Sequence, residues 1–145
     1  MKVILLRGQK DSGKSSTLML LIKQLIDDGY DVIMRNEVGG LEYDVSILLK
    51  KNGEEFTVMI HCAADDQGRI EELERFLKYT QNVDVLVAAC RKKGSEWERM
   101  NKLFGESGKY QVESLDKKDQ DNLFDKVADI QKKIEQYESN GKHNN

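Results

Sequence analysis

The sequence predicts an α/β domain built on a mainly parallel sheet with helices on both faces. Three observations predict it. Short apolar, β-branched runs alternate with stretches whose apolar residues recur at helical spacing. Two of the runs, Glu55 to Ala63 and Val83 to Cys90, are almost wholly apolar, as strands covered on both faces must be. One Asn-Gly pair, Asn52-Gly53, separates two such runs and marks a β-hairpin, so one antiparallel strand joins the sheet.

The elements follow in order. Lys2 to Leu6 (KVILL) reads as a buried strand that stops at Arg7-Gly8. Lys14 to Asp28 reads as a helix with Leu18, Leu21, Ile22, Leu25 and Ile26 on one stripe, closed by Gly29 as a left-handed cap. Asp31 to Met34 is a second strand, and Gly39-Gly40 marks a turn after it. Tyr43 to Lys50 and Glu55 to Ala63 form the hairpin. Gly68 to Tyr79 is a helix directing Ile70, Leu73, Phe76 and Leu77 inward, with Glu71-Glu72 near its positive end. After the strand Val83 to Cys90, Ser95-x-x-Glu98 reads as a capping box opening a helix with Trp97, Met100, Leu103 and Phe104 on one side. Tyr110 to Leu115 is the last strand. Asp116 is expected to cap a final helix running to about Ser139. The alternating steps of Leu123, Val127, Ile130, Ile134 and Tyr137 resemble a coiled-coil seam, read here as the stripe that docks on the sheet. The 145 residues are therefore expected to form one domain, 1–139, followed by a flexible polar tail, 140–145.

Composition limits the function. Charged residues make up 34% of the chain, yet the net charge is only −3 and the two signs are interspersed. A nucleic-acid-coating protein needs a basic face, so nucleic acid is not indicated. No apolar run approaches the ~18 residues of a membrane span. The first residues enter a strand and not a leader, and Cys62 and Cys90 each lie inside apolar runs with no metal-ligand spacing. The expectation is a cytoplasmic protein with two reduced, buried cysteines and no membrane partner.

One motif carries chemistry. Gly8-Gln9-Lys10-Asp11-Ser12-Gly13-Lys14-Ser15 satisfies G-x-x-x-x-G-K-[ST] at every fixed position, between a buried strand and a helix. Glycine lets the backbone curl so that its N–H groups converge on phosphate oxygens, and the helix start adds its dipole. Lys14 brings a mobile positive charge, and the Ser15 hydroxyl is a ligand for Mg²⁺. Ser16 completes the first helical turn at the site.

On these residues the chain resembles the P-loop NTPase superfamily, and the resemblance covers Lys2 to Gly29 together with the order of elements. It implies a three-layer fold of that kind, with Lys14 as the phosphate lysine and Ser15 on Mg²⁺. It also implies a carboxylate at the end of a neighbouring core strand. Asp65 is preferred for that role over Asp66, and either could instead cap the helix near Gly68. Asp65-Asp66-Gln67-Gly68 and the hairpin before it are similar to the D-x-x-G switch region of the small GTPases. The N-K-x-D element of that family is absent after the strand ending at Cys90, where Arg91-Lys92-Lys93-Gly94 stand.

Arg91-Lys92-Lys93 and Arg35-Asn36-Glu37 follow strands at the edge where open α/β sheets bind ligands; Arg91 and Arg35 are the candidate contacts for phosphate or a second substrate, the alternatives being a solvated basic loop and a plain polar turn. His61 reads as a structural core residue, Trp97 as core with adenine stacking as the alternative, and Lys10 as solvated. The expected function is Mg²⁺-dependent binding and hydrolysis of a nucleoside triphosphate, ATP in the first instance and GTP as the alternative, with contact to a protein partner. The rival readings are a small-molecule or nucleotide kinase using Arg35 and Arg91 for its acceptor, a GTPase-like switch without N-K-x-D, and an interaction module that has lost hydrolysis.

Overall fold

A computed structural model describes residues 1–37, 45–62, 67–80 and 82–143 of the chain. Its elements run β1 (Lys2–Gly8), α1 (Lys14–Asp27), β2 (Tyr30–Glu37), β3 (Val45–Lys51), β4 (Thr57–His61), α2 (Gln67–Thr80), β5 (Val85–Arg91), α3 (Ser95–Met100), a π-helical turn (Asn101–Gly105), β6 (Gln111–Asp116) and α4 (Leu123–His143). The six strands form one mixed sheet in the order β2-β3-β4-β5-β1-β6. β1 pairs in parallel with both β5 and β6, β4 pairs in parallel with β5, and β3 is antiparallel to both β2 and β4. The expected single antiparallel strand is therefore β3.

Successive residues of β1 bury against different layers. Ile4 and Leu6 join one core with Leu18, Leu21, Ile22 and Leu25 of α1 and Val127, Ile130 and Ile134 of α4. Val3 and Leu5 join the other with Ile70, Leu73 and Phe76 of α2, Met100 of α3 and Phe104 of the π-helical turn. This alternation is the period-2 pattern of a strand covered on both faces. The seam of α4 is spent on the sheet and α1, as the sequence expects. Among the described residues no helix is long and apolar enough to cross a membrane. Cys62 and Cys90 are buried, and among the described residues neither forms a disulfide.

Several boundaries differ from expectation. Ile26 does not join the α1 stripe and stands 43% exposed, because the core-facing arc ends at Leu25 where the chain turns into Gly29 at φ +98°. β2 continues past Met34 to Glu37, polar residues being tolerated on an edge strand with a solvated side. The Ser95-x-x-Glu98 capping box does not form. Gly94, at φ +96°, turns the chain one residue earlier and takes the cap position, and the Ser95 hydroxyl bonds the Glu96 carboxylate instead. Asp116 is not a helix cap: it is the last residue of β6 and pairs with Arg7. The cap of α4 is Asn122, whose Oδ1 accepts from the amides of Phe124 (2.8 Å) and Asp125 (3.2 Å). At its far end α4 runs to His143, past the end expected near Ser139. The Gly39-Gly40 turn, the start of the strand expected at Tyr43, and Ala63 to Asp66 lie outside the described residues.

Candidate functional site

The sheet brings the C-terminal ends of β1, β4, β5 and β6 to one edge, and the loop from Gly8 to Ser15 crowns β1 there. Two residues carry the curl of this loop in left-handed backbone, Asp11 at φ +61° and Gly13 at φ +91°. The Ser12 amide turns back to the Gln9 carbonyl (3.2 Å) and the Thr17 hydroxyl bonds the Gly13 carbonyl (2.7 Å), which fixes the start of α1. The amides of the first turn have no intrahelical acceptors and point out of the helix end, a ready site for anionic oxygens.

Lys14 is only 5% exposed. Its Nζ donates to the carbonyls of Gly8 (2.6 Å) and Gln9 (3.2 Å), so the ammonium lies inside the curl of its own loop. Gly8 is required by close approach: a Cβ there would meet the Ser12 hydroxyl and the Lys117 carbonyl, the latter at 2.7 Å. The Ser12 hydroxyl itself is buried and finds no hydrogen-bond partner among the described residues.

A second buried lysine braces the loop. Lys117, 3% exposed, follows β6 directly, and its amide extends the β6–β1 pairing by donating to the Arg7 carbonyl (2.7 Å). Its Nζ donates to the Ser12 carbonyl (2.9 Å) and to the Lys118 carbonyl. Beside it opens a cavity of about 220 Å³ lined by Gln9, Ser12, Lys92, Lys117, Lys118, Asp119 and Gln120. Three segments far apart in sequence thus meet here: the loop, the end of β5 and the connection from β6 to α4.

The chain matches no family model, no curated protein and no solved structure. The site is therefore read from its own geometry.

On the opposite flank of the loop, the Ser15 hydroxyl donates to the carbonyl of Cys62, one residue past β4 (3.1 Å). β4 is not a hydrogen-bonded neighbour of β1, since β5 lies between them, but the first turn of α1 reaches across that gap. Ser15 and the Cys62 carbonyl set two hard oxygens side by side, a donor set suited to Mg²⁺ completed by one or two carboxylates and substrate phosphates. Asp65 and Asp66, the expected carboxylates, lie outside the described residues.

The other sequence candidates are distributed unevenly. Arg91 is the last residue of β5 and pairs in register with Gly8, which places it beside the loop. Lys92 is exposed and lines the cavity, Lys93 is exposed, and Gln9, Lys10, Asp11 and Ser16 are exposed on the loop and first turn. Arg35 is not brought to the loop: β3, β4 and β5 separate β2 from β1, four strand spacings or roughly 19 Å. Arg35 instead lines a separate surface cavity with Arg75, Phe76 and Tyr79. His61 is fully buried and its Nδ1 shares a hydrogen bond with the Ser46 hydroxyl, a structural role.

Trp97 has one face covered by the Arg7 guanidinium, 3.7 Å from the ring centroid, and Arg7 also donates to the Lys92 carbonyl. The residue just before the loop is thereby tied to α3 and to the end of β5. Burial pushes the Cys90 thiol, paired with Arg7 across β1 and β5, up to about 12, against partial lowering by Arg7 and Lys14.

Sequence reasoning missed Lys117 and the cavity beside it. The available signal was positional. A charged run directly after a parallel strand stands at the ligand-binding edge, and Lys117-Lys118-Asp119 follows a strand as directly as Arg91-Lys92-Lys93 does.

Proposed function

We propose that this chain binds a nucleoside triphosphate together with Mg²⁺ at Gly8–Ser15 and hydrolyses its terminal phosphoanhydride bond. The observation that carries this reading is the Lys14 ammonium held within the loop by the carbonyls of Gly8 and Gln9, at the N-terminus of α1. Burying a lysine is costly unless its charge is met, and anionic phosphate oxygens at the N-terminus of α1 meet that charge alongside the loop carbonyls.

In this mechanism the amides of the first turn of α1 and the helix dipole orient the phosphates. Lys14 stabilises charge that builds on the phosphoryl oxygens, and Ser12 offers one further hydroxyl donor. Ser15 and the carboxylate expected at Asp65 or Asp66 would hold Mg²⁺, which when bound neutralises phosphate charge. Arg91, in register with Gly8, is placed to add positive charge at the same edge. The distance of Arg35 from the loop favours hydrolysis over transfer to an acceptor held by that residue.

The test is titration with Mg²⁺ and non-hydrolysable ATP and GTP analogues, beside Lys14→Ala, followed by phosphate release with the natural nucleotides. Tenfold or greater weakening in Lys14→Ala is expected, since a charge-assisted contact to phosphate is lost. Equal affinity in the variant, or the absence of binding to either nucleotide, would overturn the reading.

A further inference from the structure

The exposed apolar side chains of this chain are not scattered. Among the described residues five large ones stand open to solvent, and four of them flank β2. Val32 and Ile33, each 47% exposed, lie on the strand itself. Tyr79, 75% exposed, lines the cavity on the α2 side together with Met34, Arg35 and Asn36. Ile26 stands on the α1 side. Asp28, two residues on, faces α4 through Gln131 (3.0 Å), and two helical steps, about 200°, turn Ile26 to the opposite flank of α1. β2 is also the first strand in the sheet order, so among the described residues it hydrogen-bonds to β3 alone. Its outer N–H and C=O groups lie open to another strand, and an apolar rim around such an edge marks a surface that associates.

We propose that β2 pairs with β2 of a second copy, antiparallel and about a two-fold axis near Ile33, joining two six-stranded sheets into one. The charge order along the strand selects a second copy. Asp31 precedes the Val32-Ile33 pair and Arg35 follows it. Turning a copy end for end about Ile33 sets Val32 and Ile33 beside their own counterparts. It also brings each Asp31 to the stretch of the partner strand that carries Arg35, so unlike charges meet at both ends of the contact. The Asp31 carboxylate makes no hydrogen bond or ion pair among the described residues, and Lys50, its neighbour on β3, is held by Glu55 (3.5 Å).

The irregular step in β2 fits a closed pair. Ile33 has no partner in β3, where the register jumps from Val32–Leu49 to Met34–Leu48. Such a bulge twists an edge and keeps it from templating open-ended growth, whereas a two-fold pair uses each edge once and closes. Two antiparallel steps and two parallel ones make β2 run in the same direction as β1. The two-fold therefore puts the two phosphate-loop edges on opposite sides of the joined sheet. Neither loop faces the other, and the dimer is independent of the nucleotide reading.

The experiment is sedimentation equilibrium of the whole chain across micromolar concentrations. It compares the wild type with Ile33→Lys, Asp31→Arg, Arg35→Asp and the double variant Asp31→Arg/Arg35→Asp, all at exposed positions, with circular dichroism as the check on folding. The wild type is expected to show a monomer–dimer equilibrium. Ile33→Lys sets two ammonium groups against each other at the axis and should weaken the dimer about tenfold or more. Each charge reversal alone should weaken it, and the double variant should recover it, because exchanging the two charges restores the unlike pairs. Lys14→Ala should dimerise as the wild type does.

A wild type that stays monomeric at every concentration would overturn the proposal and leave the edge to a strand of another protein. A dimer that Ile33→Lys leaves unchanged would place the contact elsewhere and overturn it as well. Single reversals without effect, or a double variant no better than either of them, would overturn the antiparallel two-fold pairing. Should Ile33→Lys fail to fold, the charge reversals decide.

Discussion

Lys117 shows how a single side chain can organise the site without belonging to its motif. Its ammonium is buried and is satisfied by the carbonyls of Ser12 and Lys118, so it pins the loop to the connection after β6. Lys117→Met keeps most of the volume and removes both bonds. Stranding a buried carbonyl costs about 1–3 kcal/mol, so the urea midpoint should fall and tripolyphosphate binding should weaken with it. A variant with unchanged stability would show that the lysine does not brace the loop. Cys90 makes a different residue-scale prediction. Burial raises its thiol from the ordinary 9.0 to about 12, so the folded state keeps a proton that the unfolded chain releases. The associated stability is intact below the unfolded value and is lost as pH rises through the folded one. Unfolding free energy measured by urea should therefore decline between pH 9.0 and about 12. Cys90→Ala should flatten part of that decline and not all of it, because the Tyr30 hydroxyl is raised by burial and by Glu138 in the same direction.

At the scale of elements, what the sequence made legible was local. The unit β1–loop–α1 is specified by adjacent residues: an apolar run, two glycines at fixed spacing, Lys14-Ser15 and a helical stripe. Its backbone followed the reading closely, the exceptions being β1, which runs on through Arg7 and Gly8, and Ile26, which leaves the helical stripe. The cavity wall was not legible, because it exists only through register. Arg91 stands beside Gly8, and Asp116 beside Arg7, by virtue of two parallel pairings that no local pattern encodes. The connection from β6 to α4 was misread for the same reason. Asp116 looks like a cap in sequence, but strand pairing claims it, and the helix waits for Asn122. Asn122→Ala should accordingly cost about 1 kcal/mol (range ~0.5–2), read as a lower urea midpoint at unchanged slope. Asp116→Ala should cost less than this. The opposite ranking would return the cap to Asp116.

At the scale of the molecule, the sheet order decides how ligand binding and folding are linked. β1 lies inside the sheet between β5 and β6, with α1 and α4 on one face and α2 and α3 on the other. The loop cannot keep its curl unless β1 is held by both neighbours, because Lys117 arrives with β6 and Arg91 with β5. An ion pair between Lys51 and Glu138 (2.9 Å) further ties the hairpin end of β3 to α4, the helix that packs on α1. A ligand gripped by the loop therefore binds the folded chain and has nothing equivalent to grip in the unfolded one. By mass action, a nucleoside triphosphate at a hundred times its Kd should add about 2.7 kcal/mol to the unfolding free energy. For a domain of this size that corresponds to a rise in Tm of roughly 5–10 °C. The whole shift should depend on Lys14, so Lys14→Ala, compared at the same Mg²⁺ and nucleotide concentrations, should show almost none. An equal shift in both proteins would place the nucleotide somewhere other than the loop, and the link between sheet order and binding would fail with it.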